Sequence, residues 1–168
     1  MSGERRVPGE DSASGKSIRF PALTFSADGI LYAFDSLDRI TTCTKRGYKT
    51  GFYKGLVLID SDGTRFRAVD ARHIRTLPPR SFGGLLEWLT GNPHWKVDLI
   101  FEAEASKASL DEVKQMISTA FRKNDETWQA LVDFDEFRDR LERTTSLEEV
   151  FAAFREFNVV EGNESVGQ

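Results

Sequence analysis

Groups able to give up a proton, attack a substrate or hold an ion are sparse in this chain. Only two histidines occur, His73 and His94, and neither sits at a spacing that would pair it with another ligand on a helix or strand. The single cysteine, Cys43, lies near Lys45 and Arg46, cations that would favour its thiolate, and the surrounding pattern places it in a short helix. A solitary cysteine serves equally well as a small buried hydrophobe. Asp133, Asp135 and Glu136 look like part of a calcium loop, but the required glycine and the distal glutamate are missing. Gly83-Gly84 lacks both a preceding strand and turn and a following Lys-Ser/Thr, so it does not read as a phosphate loop. The expectation is therefore a non-enzyme with no catalytic residue, no cofactor and no metal ligand.

Charge offers more than reactivity does. The net charge of -4 hides a division: residues 1 to 97 carry 15 Lys/Arg against 10 Asp/Glu, whereas residues 98 to 168 carry 8 against 17. An acidic surface repels nucleic acid and speeds encounter with basic proteins through its long-range field. Glu102, Glu104, Asp133, Asp135, Glu136 and Asp139 form the candidate partner-binding set. The alternative is an anion-binding face built from Arg65, Arg67, Arg72 and Arg75, with Tyr48, Phe52 and Tyr53 nearby for stacking. A sequence pI near 5.3 argues against nucleic acid as its ligand.

The elements that must carry these residues follow from periodicity. Leu23 and Phe25 alternate with polar neighbours, Asp28-Gly29 turns the chain, and Ile30, Tyr32 and Phe34 alternate again, so residues 20–34 read as a hairpin. Asp35 or Ser36 caps a short helix with Leu37, Ile40 and Thr44 on one face, ended by Gly47. Residues 55–74 form a second hairpin around Asp60-Ser61-Asp62-Gly63. Its apolar first strand, Leu56 to Ile59, belongs in the centre of a sheet. In its second strand Arg65 and Arg67 alternate with Phe66 and Ala68, giving one basic face and one core face.

Pro78-Pro79 ends that strand, Ser81 caps a helix carrying Leu85, Leu86, Trp88 and Leu89, and Gly91-Asn92-Pro93 stops it. A further strand spans 96–105. The remainder is helical: Ser109 with Glu112 and Ser146 with Glu149 match the capping box, and Trp128, Leu131, Phe134, Phe137 and Leu141 describe a middle helix. The expected fold is α+β: an antiparallel sheet of about five strands, two short helices, and an acidic layer of three C-terminal helices. Residues 18–160 form one domain, with disordered tails at 1–17 and 161–168. One cysteine, no apolar leader and no apolar run of about 20 residues point to a cytoplasmic protein without membrane contact.

The opening FPALTFSADGILYAFDSLDRI, followed by YKGLVLIDSDGTRFRAV and then by acidic helices, resembles the small cytoplasmic immunity proteins that neutralise toxins exchanged between competing bacteria. The resemblance covers residues 20–157 and implies a module that occludes the active site or substrate surface of a cognate toxin enzyme; the acidic set adds the expectation that this partner has a basic surface. The resemblance carries over no functional residue and leaves the oligomeric state open. Three other readings stay open: a nucleic-acid-associated regulator using the basic hairpin, an enzyme whose scattered carboxylates converge in a pocket, and an adaptor like the chaperones of type III or type VI secretion.

Overall fold

A computed structural model describes residues 10–12, 17–130, 133–157 and 159–161. In chain order the elements are β1 (Glu10–Ser12), β2 (Ala22–Phe25), β3 (Leu31–Phe34), α1 (Leu37–Ile40), β4 (Thr42–Thr44), α2 (Lys45–Lys49), β5 (Val57–Ile59), β6 (Thr64–Thr76), α3 (Phe82–Leu89), β7 (His94–Glu102), β8 (Ser106–Lys107), α4 (Leu110–Lys123), α5 (Asp125–Gln129), α6 (Phe134–Glu142), α7 (Leu147–Glu156) and β9 (Val160–Glu161). The class is α+β, as the pattern predicts.

The strands run in the order β1-β7-β6-β5-β2-β3-β9, with β4 added to β7 and β8 to β6. Five of these are the expected strands; the other four are short pieces of two or three residues, below the length at which alternation is readable. β1 falls inside the predicted tail 1–17 and pairs with the edge of β7; β9, which runs parallel to β3, straddles the predicted boundary at 160/161. Residues 1–9, 13–16 and 162–168 of the predicted tails lie outside the described residues. Every other ladder is antiparallel.

The hairpins form where turn chemistry demands them. Gly29 sits at φ +89°, and the Ser26 N–H closes the loop on the Ile30 carbonyl at 2.9 Å. In the second turn the buried Asp60 carboxylate accepts from the N–H groups of Asp62 at 3.0 Å and Thr64 at 2.8 Å, while Gly63 takes φ +75°. The Gly63 carbonyl then accepts from Ala108 N–H at 2.9 Å, tying this turn to the start of α4. β5 lies between β2 and β6 with Leu58 and Ile59 fully buried, the central position its apolar run requires.

The single helix expected from Ser36 to Gly47 is instead α1, β4 and α2. The run Ile40-Thr41-Thr42-Cys43-Thr44 is almost entirely β-branched. The Thr41 and Thr42 hydroxyls also donate back to the Leu37 and Asp38 carbonyls at 2.6 and 2.7 Å, which closes α1 after one turn. Cys43 thus stands on a strand, opposite Trp95. Thr44 caps α2, its hydroxyl accepting from Gly47 N–H, and Gly47 lies inside that helix and does not end it.

The sheet has a core on each face. On one, Leu23, Phe25, Leu31, Ala33 and Ile59 pack against α4 to α7. On the other, Leu58, Phe66, Ala68, Leu99 and Phe101 pack with Leu56, Tyr53 and Ile40, which come from the α1 and α2 region. The helical layer holds four helices where three are expected. The predicted middle helix is divided: Asp133 takes a left-handed φ of 65° immediately before α6, and Leu131 lies outside the described residues.

Ser109 and Glu112 form a complete capping box, with Ser109 N–H donating to the Glu112 carboxylate at 2.7 Å and Glu112 N–H to Ser109 Oγ at 3.2 Å. At α7, Ser146 Oγ accepts from Glu149 N–H, but the Glu149 carboxylate turns to the N–H and hydroxyl of Thr145. These hydrogen bonds hold both carboxyls below the ordinary glutamate range. Such a group stabilises the fold above its unfolded pKa, and that contribution is lost as pH falls through the lower folded value. Glu112→Gln combined with Glu149→Gln is therefore expected to narrow the gap between urea midpoints measured at neutral pH and at about pH 3. An unchanged gap would mean that the caps contribute nothing to acid sensitivity.

Candidate functional site

The acidic half gathers its carboxylates at the junction of α5 and α6. The left-handed Asp133 redirects the chain so that Asp133, Asp135 and Glu136 face Asp125, the first residue of α5, across a recess of about 640 Å³. All four carboxylates are exposed, Gln129 donates to Asp125 at 2.7 Å, and Phe134 contributes an apolar floor. Among the described residues Arg138 is the one cation of the lining, and it stands 3.2 Å from Asp135. Asp125, Asp135 and Glu136 also occupy first turns of their helices, where negative charge is favoured by the helix dipole.

The predicted acidic set is not one cluster. Asp139 does not line this recess, and Glu102 and Glu104 line another, of about 420 Å³, together with Arg65, Arg67 and Met116. Asp125 belongs to the acidic half but not to the six candidates, and it joins the recess through the turn between α5 and α6, which the apolar spacing conceals.

The four arginines of the alternative face do share one side of β6, for a reason absent from simple alternation. Register shifts at Ala68/Asp70 and at His73/Arg75 each insert one residue. Arg72 and Arg75 thereby fall on the side of Arg65 and Arg67, although position 72 has the opposite parity. Three of the four meet carboxylates on that side: Arg65 with Glu112 at 3.6 Å, Arg67 with Glu102 at 3.7 Å and Arg72 with Asp98 at 3.4 Å. Surface pairs of this kind add little stability, but they cancel much of the stripe's field.

The His73 ring lies against Trp95 at a tilt of 38° with centroids 4.1 Å apart, and His94 faces Glu87 at 3.7 Å across the end of α3. Among the described residues no group of three or more His, Cys, Asp or Glu is placed to hold a metal ion, and no helix is long and apolar enough to cross a membrane. An apolar cleft lies between α4 and α6, floored by Ile117, Phe121, Phe134 and Leu141. It measures only 190 Å³, short of the ~300 Å³ at which small-molecule sites begin.

Burial pushes the Cys43 thiol up despite the polar contacts with the Tyr53 hydroxyl and the Tyr48 backbone, and burial likewise raises the Tyr53 phenol, whose hydroxyl donates to the Ile40 carbonyl at 2.8 Å. The lowering suggested by Lys45 and Arg46 is absent because the strand turns the thiol toward these tyrosines. Cys43 is accordingly expected to react with a thiol-specific disulfide reagent more slowly than free cysteine at neutral pH, the rate rising sharply only in the alkaline range or on unfolding. A native rate matching free cysteine would contradict this placement.

Helix α3 forms where Ser81 and Gly91 predict it. None of its residues is buried, and Phe82, Leu85, Leu86, Trp88 and Leu89 all lie open to solvent. Local pattern fixes the stripe, whereas its cover depends on what lies across from it. No family model matches the chain, and no curated protein or solved structure matches it either.

Proposed function

We propose that this chain is a protein-binding module of the immunity type, which occludes a toxin enzyme with the acidic end of its helical layer. The observation that supports this reading most is the α5–α6 recess, where four exposed carboxylates surround Phe134. That arrangement suits a partner offering lysine or arginine side chains around an apolar anchor: the charges steer the encounter and the ring supplies contact area. The acidic balance of residues 98 to 168 extends the same field beyond the recess.

The test is capture from the native cell with two baits, the wild-type chain and a variant carrying Asp125→Asn, Asp133→Asn, Asp135→Asn and Glu136→Gln. A partner with a basic surface should be retained by the first and lost by the second. A partner held equally by both would remove the recess from the interface.

One observation favours a second reading. An adaptor that holds another protein for secretion would have use for an adhesive apolar surface, and the bare face of α3 is one. The nucleic-acid reading is weakened by the carboxylates set against Arg65, Arg67 and Arg72.

A further inference from the structure

We infer that the open face of α3 is the contact through which two copies of this chain pair. At ~100° per residue, Trp88, Leu85, Leu89, Phe82 and Leu86 fall on one continuous arc of the helix, and Gly83, Gly84 and Glu87 take the rest. Of the second set Gly84 and Glu87 are half-buried: Glu87 meets His94 at 3.7 Å, and a Cβ on Gly84 would stand 3.3 Å from Ser81 Oγ and 3.9 Å from Pro79, which lead into the helix. The apolar arc therefore points outward: exposures are 76% for Phe82, 66% for Leu89, 49% for Leu86, 48% for Trp88 and 38% for Leu85, and Ile74 on the adjoining strand adds 56%.

The size and chemistry of this face select the occupant. With side chains of this kind presenting on the order of 150–200 Å² each, the six expose roughly 600 Å², the upper end of what a lone domain leaves open. Two such faces together remove roughly 1,200 Å², the threshold of a specific interface. Phe82, Leu85, Leu86 and Leu89 follow the i, i+3, i+4, i+7 spacing by which one helix seats on another of the same kind, so the surface is complementary to itself. No charge stands on the arc, and two of the cations near it have partners within the chain: Arg72 lies 3.4 Å from Asp98 and Lys96 2.6 Å from Asp38. Arg75, next to Ile74, is exposed and meets no carboxylate among the described residues. The arc itself is uncharged, so two copies meet on it without like charges opposed. The contact shares no residue with the α5–α6 recess.

Sedimentation equilibrium of the full chain over a wide concentration range tests the pairing. The expected species has twice the 19.0 kDa mass of one chain, and added salt leaves its dissociation constant unchanged or lowers it. Leu86→Glu with Leu89→Glu should give a monomer whose thermal transition matches that of the concentration-diluted wild type, because neither residue packs in either core. The inference is overturned by a wild-type monomer at all concentrations, by a variant that still dimerises, or by a dimer that salt dissociates. It is overturned too by a monomeric wild type that pellets with phosphatidylserine vesicles while the variant does not, since α3 would then be serving a membrane surface.

Discussion

Phe137→Ala is expected to lower the unfolding free energy by about 3–5 kcal/mol, the cost of emptying a large aromatic site in a packed interior. Phe137 is 1% exposed, and its ring meets those of Phe154 at 5.1 Å, Phe157 at 5.3 Å, Phe121 at 6.0 Å and Trp128 at 6.4 Å. Those partners come from α4, α5, α7 and the residue that caps α7, so a single side chain of α6 holds the helical layer together. The effect reaches the candidate site, because α6 also carries Asp135 and Glu136. Urea denaturation followed by circular dichroism measures the loss. A decrease below ~1 kcal/mol would mean that α6 lies loosely on the layer, and the geometry of the recess would lose its support.

The largest functional effect is expected from neutralising that recess. Converting Asp125, Asp133 and Asp135 to asparagine and Glu136 to glutamine removes four negative charges while keeping side-chain volume. Asn is also a residue that tolerates the left-handed conformation of position 133. The association rate with the captured partner should fall on the order of 10–100-fold at low salt, with a smaller change in the dissociation rate. Thermal stability should stay close to wild type, since all four side chains are exposed and none packs in a core. A variant that associates as fast as the wild type would show that the recess plays no part in the encounter.

What the sequence disclosed and what it concealed divides along the range of the interactions. Asp28-Gly29 and Asp60 to Gly63 announced their turns because the geometry of a hairpin loop is set by a few adjacent residues. Ser109 and Glu112 announced the start of α4 for the same reason. The apolar run of β5 marked a central strand because only a strand covered on both sides can bury Leu58 and Ile59 together. In contrast, the break between α5 and α6 hides in a spacing that would also suit one continuous helix, so the convergence of Asp125 with Asp135 could not be read. The two bulges of β6 are likewise silent in the sequence, although the one at Ala68/Asp70 puts Arg72 on the side of Arg67 and the one at His73/Arg75 keeps Arg75 there. The carboxylates opposite that stripe come from β7 and α4, distant in the chain. For α3 the stripe was legible and its exposure was not, since exposure is a property of what faces the helix.

The central claim is that an acidic surface brings a basic protein partner to this chain. Stopped-flow association of the wild-type chain with its captured partner, repeated across ionic strength, tests it most directly. The account predicts a rate that falls steeply as salt shortens the reach of the field, by about an order of magnitude or more between low and near-physiological salt. A rate that does not respond to salt would contradict it.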